Sequence, residues 1–270
     1  MSLYTASINS GSNGNCYYIS NGQDAVLIDA GISCRETEIR MKKMGLDITK
    51  VRAIFITHEH TDHIKGAQLL SSRYKIPAYL NHKTHYASHL KFKPDLYRRI
   101  EHNEVIDVHG MQVTGFSKLH DAIDPYSYVV NYAGITIGVF TDIGAVCDNL
   151  THYMQQCHAA YLESNYDEEM LENGRYHIRL KNRIRGGLGH LSNKEAVEFF
   201  KAYKPEYMTH LFLSHLSRDN NNPDLALDLF KQHADDVEVH VAPRYGHSEL
   251  FHITTDATPS TPQIKQATLF

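Results

Sequence analysis

No stretch of this 270-residue sequence is apolar over the roughly 18 positions needed to cross a bilayer, so no transmembrane helix and no membrane partner are expected. The opening MSLYTASINSGSNGNCYYIS also lacks a charged segment followed by an apolar one, so it does not read as a secretory signal. The four cysteines (Cys16, Cys34, Cys147 and Cys157) form no CxxC pair and suit reduced thiols, which points to a cytoplasmic location. Strong charge of either sign is missing as well. A net charge of −4 gives no global sign of nucleic-acid binding and leaves room only for a local patch. There is no internal repeat and no linker before about residue 254. The expected organisation is therefore a catalytic domain over 1–254 and a polar tail over 255–270.

What is present describes an ordinary globular chain, 42% hydrophobic and 21% charged, long enough to bury a substantial core. Short strand-like runs recur at NCYYIS (15–20), DAVLID (24–29), RAIFIT (52–57), SYVVNY (127–132), ITIGVF (135–140), AAYLES (159–164), YMTHLFLS (207–214) and VEVHVA (237–242). Helical patterns fall between them. Ser33 with Glu36, and Ser192 with Glu195, have capping-box spacing, and Asn222 before Pro223 reads as a helix start. The run HIKGAQLLSSRY (63–74) reads as a helix directly after a strand. Hairpins come early and β-α units later, which suits two packed sheets with helices outside.

Nineteen histidines are too many for all to be ligands, so position must decide. In THEHTDH (57–63), His58, His60, Asp62 and His63 crowd into a loop that leaves a strand. Imidazoles and a carboxylate at this density suit a divalent ion such as zinc or manganese. Short-range geometry makes it hard for all four to reach one ion, which favours two. Isolated histidines are more often structural or surface residues, but the HxHxDH spacing is too specific for a chance polar turn.

At this motif the sequence resembles the metallo-β-lactamase superfamily. The resemblance implies an α+β fold, an αββα four-layer sandwich with metals at one edge. Asp29 in VLIDAG matches the family's first acidic motif, which supports the ligand loop from behind. His120 in SKLHDA would join His58 and His60 on one metal, and His109 is a weaker rival for that place. Asp142 in FTDIG matches the bridging carboxylate. His215 in LSHLS would join Asp62 and His63 on the other metal. INSGSNGNCYYI, GGLGHLSN and HLSRDNNNPDLA narrow the resemblance to the YycJ/WalJ branch, described as metal-dependent hydrolases with a proposed role as DNA exonucleases.

Such a centre would direct a shared hydroxide at a phosphodiester, ester, thioester or lactone, with Asp62 orienting it or accepting its proton. Fold does not choose among these substrates. His190, in the glycine-rich approach to a helix start, resembles the GHS/T histidine of the RNase Z group, and Glu163 stands where that group places a partner glutamate. His190 is expected to act as general acid or phosphate contact, since phosphodiester cleavage expels an alkoxide. The other reading is packing beside the capping box. In RYHIRLKNRIR (175–185), Arg175, Arg179, Lys181, Arg183 and Arg185 would either grip a nucleic-acid backbone or form a solvated face. Gly11 and Gly14 in NSGSNGN supply a tight turn near the site or a simple hairpin.

The tail ends in QATLF. Gln266, Leu269 and Phe270 resemble the short peptides by which bacterial replication and repair proteins dock into a sliding clamp. The alternative is packing of these residues on the protein itself. The leading expectation is thus a dinuclear phosphodiesterase acting on nucleic acid, DNA above all. Two other readings stay open: a hydrolase of a small ester, thioester, lactone or cyclic nucleotide, and a metal-stabilised binding protein with little turnover. A periplasmic β-lactamase would need an export signal. A diiron flavoprotein would show glutamate where His60 stands. A β-CASP nuclease would carry a whole inserted domain between Asp142 and His215.

Overall fold

The computed structural model describes residues 2–255; Gln266, Leu269 and Phe270 lie outside the described residues. Fourteen strands are found among the described residues: β1 (Ser2–Asn9), β2 (Cys16–Ser20), β3 (Ala25–Ile28), β4 (Val51–Phe55), β5 (Ala78–Leu80), β6 (Tyr97–Arg99), β7 (Val105–Val108), β8 (Met111–Ser117), β9 (Tyr126–Tyr132), β10 (Ile135–Phe140), β11 (Ala159–Glu163), β12 (His210–Ser214), β13 (Glu238–Val241) and β14 (Phe251–Thr254). They form two seven-stranded sheets, β14-β1-β2-β3-β4-β5-β6 and β13-β12-β11-β10-β9-β8-β7.

One plan is used twice. In the first sheet β1 to β3 pair antiparallel and β3 to β6 parallel. In the second, β7 to β10 pair antiparallel and β10 to β13 parallel. The expected order of hairpins and then β-α units therefore holds within each sheet rather than across the chain.

The central strands are buried on both faces because each sheet is covered twice. Tyr17, Ile28 and Phe55 of the first sheet meet Tyr128, Val139, Tyr161 and Phe212 of the second in the central core. Helices at Cys34–Lys43 and Ala67–Tyr74 cover the outer face of the first sheet, through Met41 and Leu70. Helices at Asp148–Met154, Asn193–Tyr203 and Pro223–Lys231 cover the second, through Leu150, Phe200 and Phe230. The result is the αββα sandwich.

The helix starts follow their caps. Ser192 and Glu195 form a complete capping box, and Asn222 accepts from the Asp224 amide ahead of Pro223. Ser33 accepts from Glu36, but only that half of the box forms. The run 63–74 is not one helix. It splits into Thr61–Ile64 and Ala67–Tyr74 at Gly66, where a Cβ would lie 2.1 Å from the Ile32 carbonyl oxygen. Close backbone approach outweighs helical pattern there. That approach is what seats the HxHxDH loop against the end of β3.

Candidate metal centre

The carboxyl ends of the strands deliver the candidate residues to one edge of the sandwich. Asp29 follows β3, the loop 56–63 follows β4, His120 follows β8, Asp142 follows β10, Glu163 ends β11 and His215 follows β12. Asp29, Asp142 and His215 all have left-handed backbone, with φ of 61°, 54° and 56°. Side-chain-bearing residues rarely adopt that conformation, and here it turns each side chain sharply off the end of its strand.

Two groups of ligand atoms form. His58 Nε2 lies 3.0 Å from His60 Nδ1, and His120 Nε2 lies 3.4 Å from the same atom. Asp62 Oδ2 lies 3.6 Å from both His63 Nε2 and His215 Nε2. Asp142 stands between the groups, with Oδ2 3.1 Å from His63 Nε2 and Oδ1 3.7 Å from His120 Nε2. His109, the rival for the place of His120, is instead an exposed partner of Asp24 at 3.0 Å.

The outer partners assign the ring tautomers. Asp29 Oδ2 accepts from His63 Nδ1 at 2.7 Å, and Gly189 O accepts from His120 Nδ1 at 2.9 Å. Glu163 Oε1 accepts from His215 Nδ1 at 2.9 Å. The Thr57 hydroxyl gives its proton to Asp29 and so accepts from His58 Nδ1 at 2.9 Å. In its neutral form each of these rings would turn an Nε2 lone pair inward. Asp142 Oδ2 and His215 Nε2 are buried and lack a hydrogen-bond partner. Imidazole nitrogens and carboxylate oxygens gathered this closely, two of them buried without a partner, fit divalent cations.

The electrostatics divide the two groups. Burial and the neighbouring His63 hold His58 well below the usual imidazole range, and burial takes His120 down to about 4. Burial also opposes charge on His63 and His215. There, however, the carboxylates prevail: Asp142, Asp29 and Asp62 push His63 well up, and Asp142, Asp62 and Glu163 take His215 to about 10. In the second group protons occupy positions that a metal would take.

His190 lies beside the centre, its Nδ1 2.9 Å from Glu163 Oε1. Glu163 is fully buried and also accepts from the amides of Asp142, Ile143 and Leu191 at 3.1, 2.7 and 3.2 Å. Burial opposes its charge, but His190 and His215 bring it down to about 2. With its oxygens committed to these donors, Glu163 reads as a brace for the two rings and not as a metal ligand. Asp142, Glu163, His190 and His215 do make a further ligand-like group by distance alone. The donor count on Glu163 is the stronger argument.

A cleft of about 220 Å³ opens on these residues, walled by Ser12, Tyr176, Leu180 and Arg183. The basic run forms a helix over Ile178–Ile184 beside it. Arg175 and Arg179 are exposed. Arg183 faces the cleft and pairs with Asp121, whereas Arg185 pairs with Glu172 at 2.8 Å. Lys181 turns inward and donates to the Glu172 carbonyl, so it does not join the cleft wall.

Sequence reasoning missed several residues. Asn15 places Nδ2 3.1 Å from His63 Nε2, and its amide donates to the Asp62 carbonyl at 2.7 Å. Asn165 donates to the His215 carbonyl at 2.7 Å. Lys118 is buried and donates to the Thr141 carbonyl beside Asp142. Asn15 lies within the NSGSNGN run already singled out, where the glycines drew notice first. Gly11 and Gly14 both have positive φ, and the turn they make lies under the ligand loop.

Residues 10–144 match the metallo-beta-lactamase superfamily. The chain is 35% identical to exodeoxyribonuclease YycJ of Bacillus anthracis, over 84% of this chain and 87% of that one. It is 32% identical to exodeoxyribonuclease WalJ of Streptococcus pneumoniae, over 80% and 82%. The metallo-beta-lactamase fold protein YhfI of Bacillus subtilis superposes with a TM-score of 0.72 at 15% identity, over 93% of this chain and 100% of that one, a likeness of fold. No helix among the described residues is long and apolar enough to cross a membrane.

Proposed function

The chain belongs to the metallo-beta-lactamase superfamily, and we propose that it is an exodeoxyribonuclease of the cytoplasm, a metal-dependent phosphodiesterase working on DNA ends. The observation that carries the reading is His190, braced by buried Glu163 at the mouth of the cleft beside two ligand groups that share Asp142. The exodeoxyribonuclease names of the two relatives supply the substrate class.

His58, His60 and His120 would hold one ion, Asp62, His63 and His215 a second, and Asp142 would touch both. Zinc and manganese both suit such nitrogen and oxygen donors. Bound ions of this kind lower the pKa of water and offset charge that builds on a phosphate. The remaining work falls to side chains. Asp62, still part exposed to the cleft, orients the attacking water and takes its proton. Nδ1–H of His190 goes to Glu163, which aims Nε2 at the departing alkoxide; as an imidazolium the ring would pass its Nε2 proton to that oxygen and return to the neutral Nδ1–H form. Arg183 in the cleft wall, with exposed Arg175 and Arg179 on the same basic run, would meet backbone phosphates.

The test is to incubate end-labelled single- and double-stranded DNA, RNA and bis(p-nitrophenyl) phosphate with protein loaded with zinc or manganese. Shortening of DNA from an end is expected. Cleavage of the small diester alone would move the assignment to a small-molecule hydrolase, and inertness towards all substrates would leave a binding protein. His190→Ala is expected to retain both metals and lose turnover, whereas His215→Ala loses metal.

The proposal extends to a partner. Gln266, Leu269 and Phe270 would dock the enzyme on a sliding clamp, with the polar segment before them as tether. Deleting residues 266–270 is expected to abolish binding to the cognate clamp and leave hydrolysis unchanged.

A further inference from the structure

We propose that His210, Glu238 and His240 form a separate site for a divalent transition metal of the zinc class, at the edge of the second sheet. Strand register brings them together. Strands β12 and β13 pair parallel, His210 opposite Glu238 and Phe212 opposite His240, so all four side chains share one face. Glu238 Oε2 lies 3.7 Å from His210 Nε2 and 3.5 Å from His240 Nε2. Three ligand atoms at these separations can close around one ion, since a tetrahedral zinc with bonds of about 2.0–2.1 Å keeps its ligands a little over 3 Å apart.

The hydrogen bonds leave that ion's place open. The Thr209 hydroxyl gives its proton to the His158 carbonyl at 3.2 Å, so it must accept from His210 Nδ1 at 2.8 Å. His210 then carries its proton on Nδ1 and points a bare Nε2 at the Glu238 carboxylate. His240 Nε2 is buried and has no hydrogen-bond partner. Burial holds both rings below the usual imidazole range, against the pull of Glu238. The bare His210 Nε2 and the Glu238 carboxylate thus converge beside a His240 Nε2 that makes no hydrogen bond, an arrangement that a cation relieves.

The surroundings suit a structural site. Phe251 and Phe212 hold the His240 ring, with centroids 4.6 and 5.7 Å away, which fixes its orientation. Glu238 is 46% exposed, leaving room for water as fourth ligand. His240 also lines an open cavity of about 710 Å³, through which an ion can arrive. Five residues of extended strand separate His210 from His215, about 16 Å, so this ion would not share the catalytic pair. It would instead pin edge strand β13 to the strand that delivers His215.

The untagged full-length chain, stripped of metal, reloaded with zinc and passed over a weak chelator, tests this by metal content per chain. Wild type is expected to hold three zinc ions and His240→Ala two, with unchanged hydrolysis of bis(p-nitrophenyl) phosphate as the check on folding. Glu238→Gln is expected to weaken the third binding step at least 10-fold. His58→Ala is expected to lose zinc at the catalytic edge and keep the outer ion. A third zinc that persists in both His210→Ala and His240→Ala would come from scattered surface histidines and overturn the proposal. So would a wild-type chain that holds no more zinc than His240→Ala, whatever number the catalytic edge retains.

Discussion

Asp29 and His63 face one another at 2.7 Å, Oδ2 to Nδ1, and neither side chain is exposed. Asp29 also receives the amide and hydroxyl of Thr57, whose hydroxyl orients His58. One carboxylate thus sets the rings of both ligand groups. Asp29→Asn keeps the shape but removes the charge and one acceptor. Zinc affinity is expected to fall about 10- to 100-fold, read by competition with a chromogenic chelator. Unchanged affinity would mean that Asp29 only packs.

Gly31 is expected to tolerate no side chain. A Cβ there would lie 1.7 Å from the Asp62 carbonyl oxygen and 2.6 Å from the Asn15 amide. Both are backbone and cannot swing aside. Gly31→Ala is expected to displace the Asp62 loop, lower stability by about 3 kcal/mol and reduce bound metal. Urea melts and metal analysis would register both effects.

Metal binding is expected to release protons. The folded-state pKa of His215 is raised to about 10 and that of His63 well above its ordinary value, so both rings are charged at pH 7 without metal. His58 and His120 are shifted down and are already neutral. Affinity therefore rises with pH until the raised groups deprotonate, and falls as pH drops. Calorimetry in buffers of different ionisation enthalpy is expected to give about two protons released per chain at pH 7. Release of none would contradict the charge states of His63 and His215.

The basic helix is expected to divide in function. Arg183 faces the cleft, so Arg183→Ala is expected to weaken DNA binding and reduce the salt slope by about one. Lys181 is buried against the Glu172 carbonyl, so Lys181→Ala is expected to lower the melting temperature and leave the salt slope unchanged. Equal salt slopes in the two variants would remove Arg183 from the interface.

The ligand loop was legible because His58, His60, Asp62 and His63 are dense and local. Asp29, His120, Asp142 and His215 were read through family resemblance, since each stands alone in sequence at the end of a strand. Asn15, Thr57 and Lys118 lie inside motifs that stand out, but their own roles and that of Asn165 were not legible, because most of their contacts join chain segments far apart in sequence. The same divide applies to the fold. Long apolar strands such as β10 announce themselves, whereas β5 and β6 have three residues each, too few for any period to show. The first strand, SLYTASIN, mixes polar and apolar positions on faces that are nearly all buried. Its polar members find partners inside, as Thr5 does with Tyr161 at 3.0 Å.

Each ligand group at the catalytic edge draws on both sheets: His58 and His60 meet His120, and Asp62 and His63 meet His215. Ions there would act as rivets across a seam between two similarly built half-shells. Emptying the site would first unfasten one rim of the sandwich and leave the aromatic core closed. Amide exchange in the metal-free protein would then quicken at the loops after β4, β8, β10 and β12, well before the strands themselves give way.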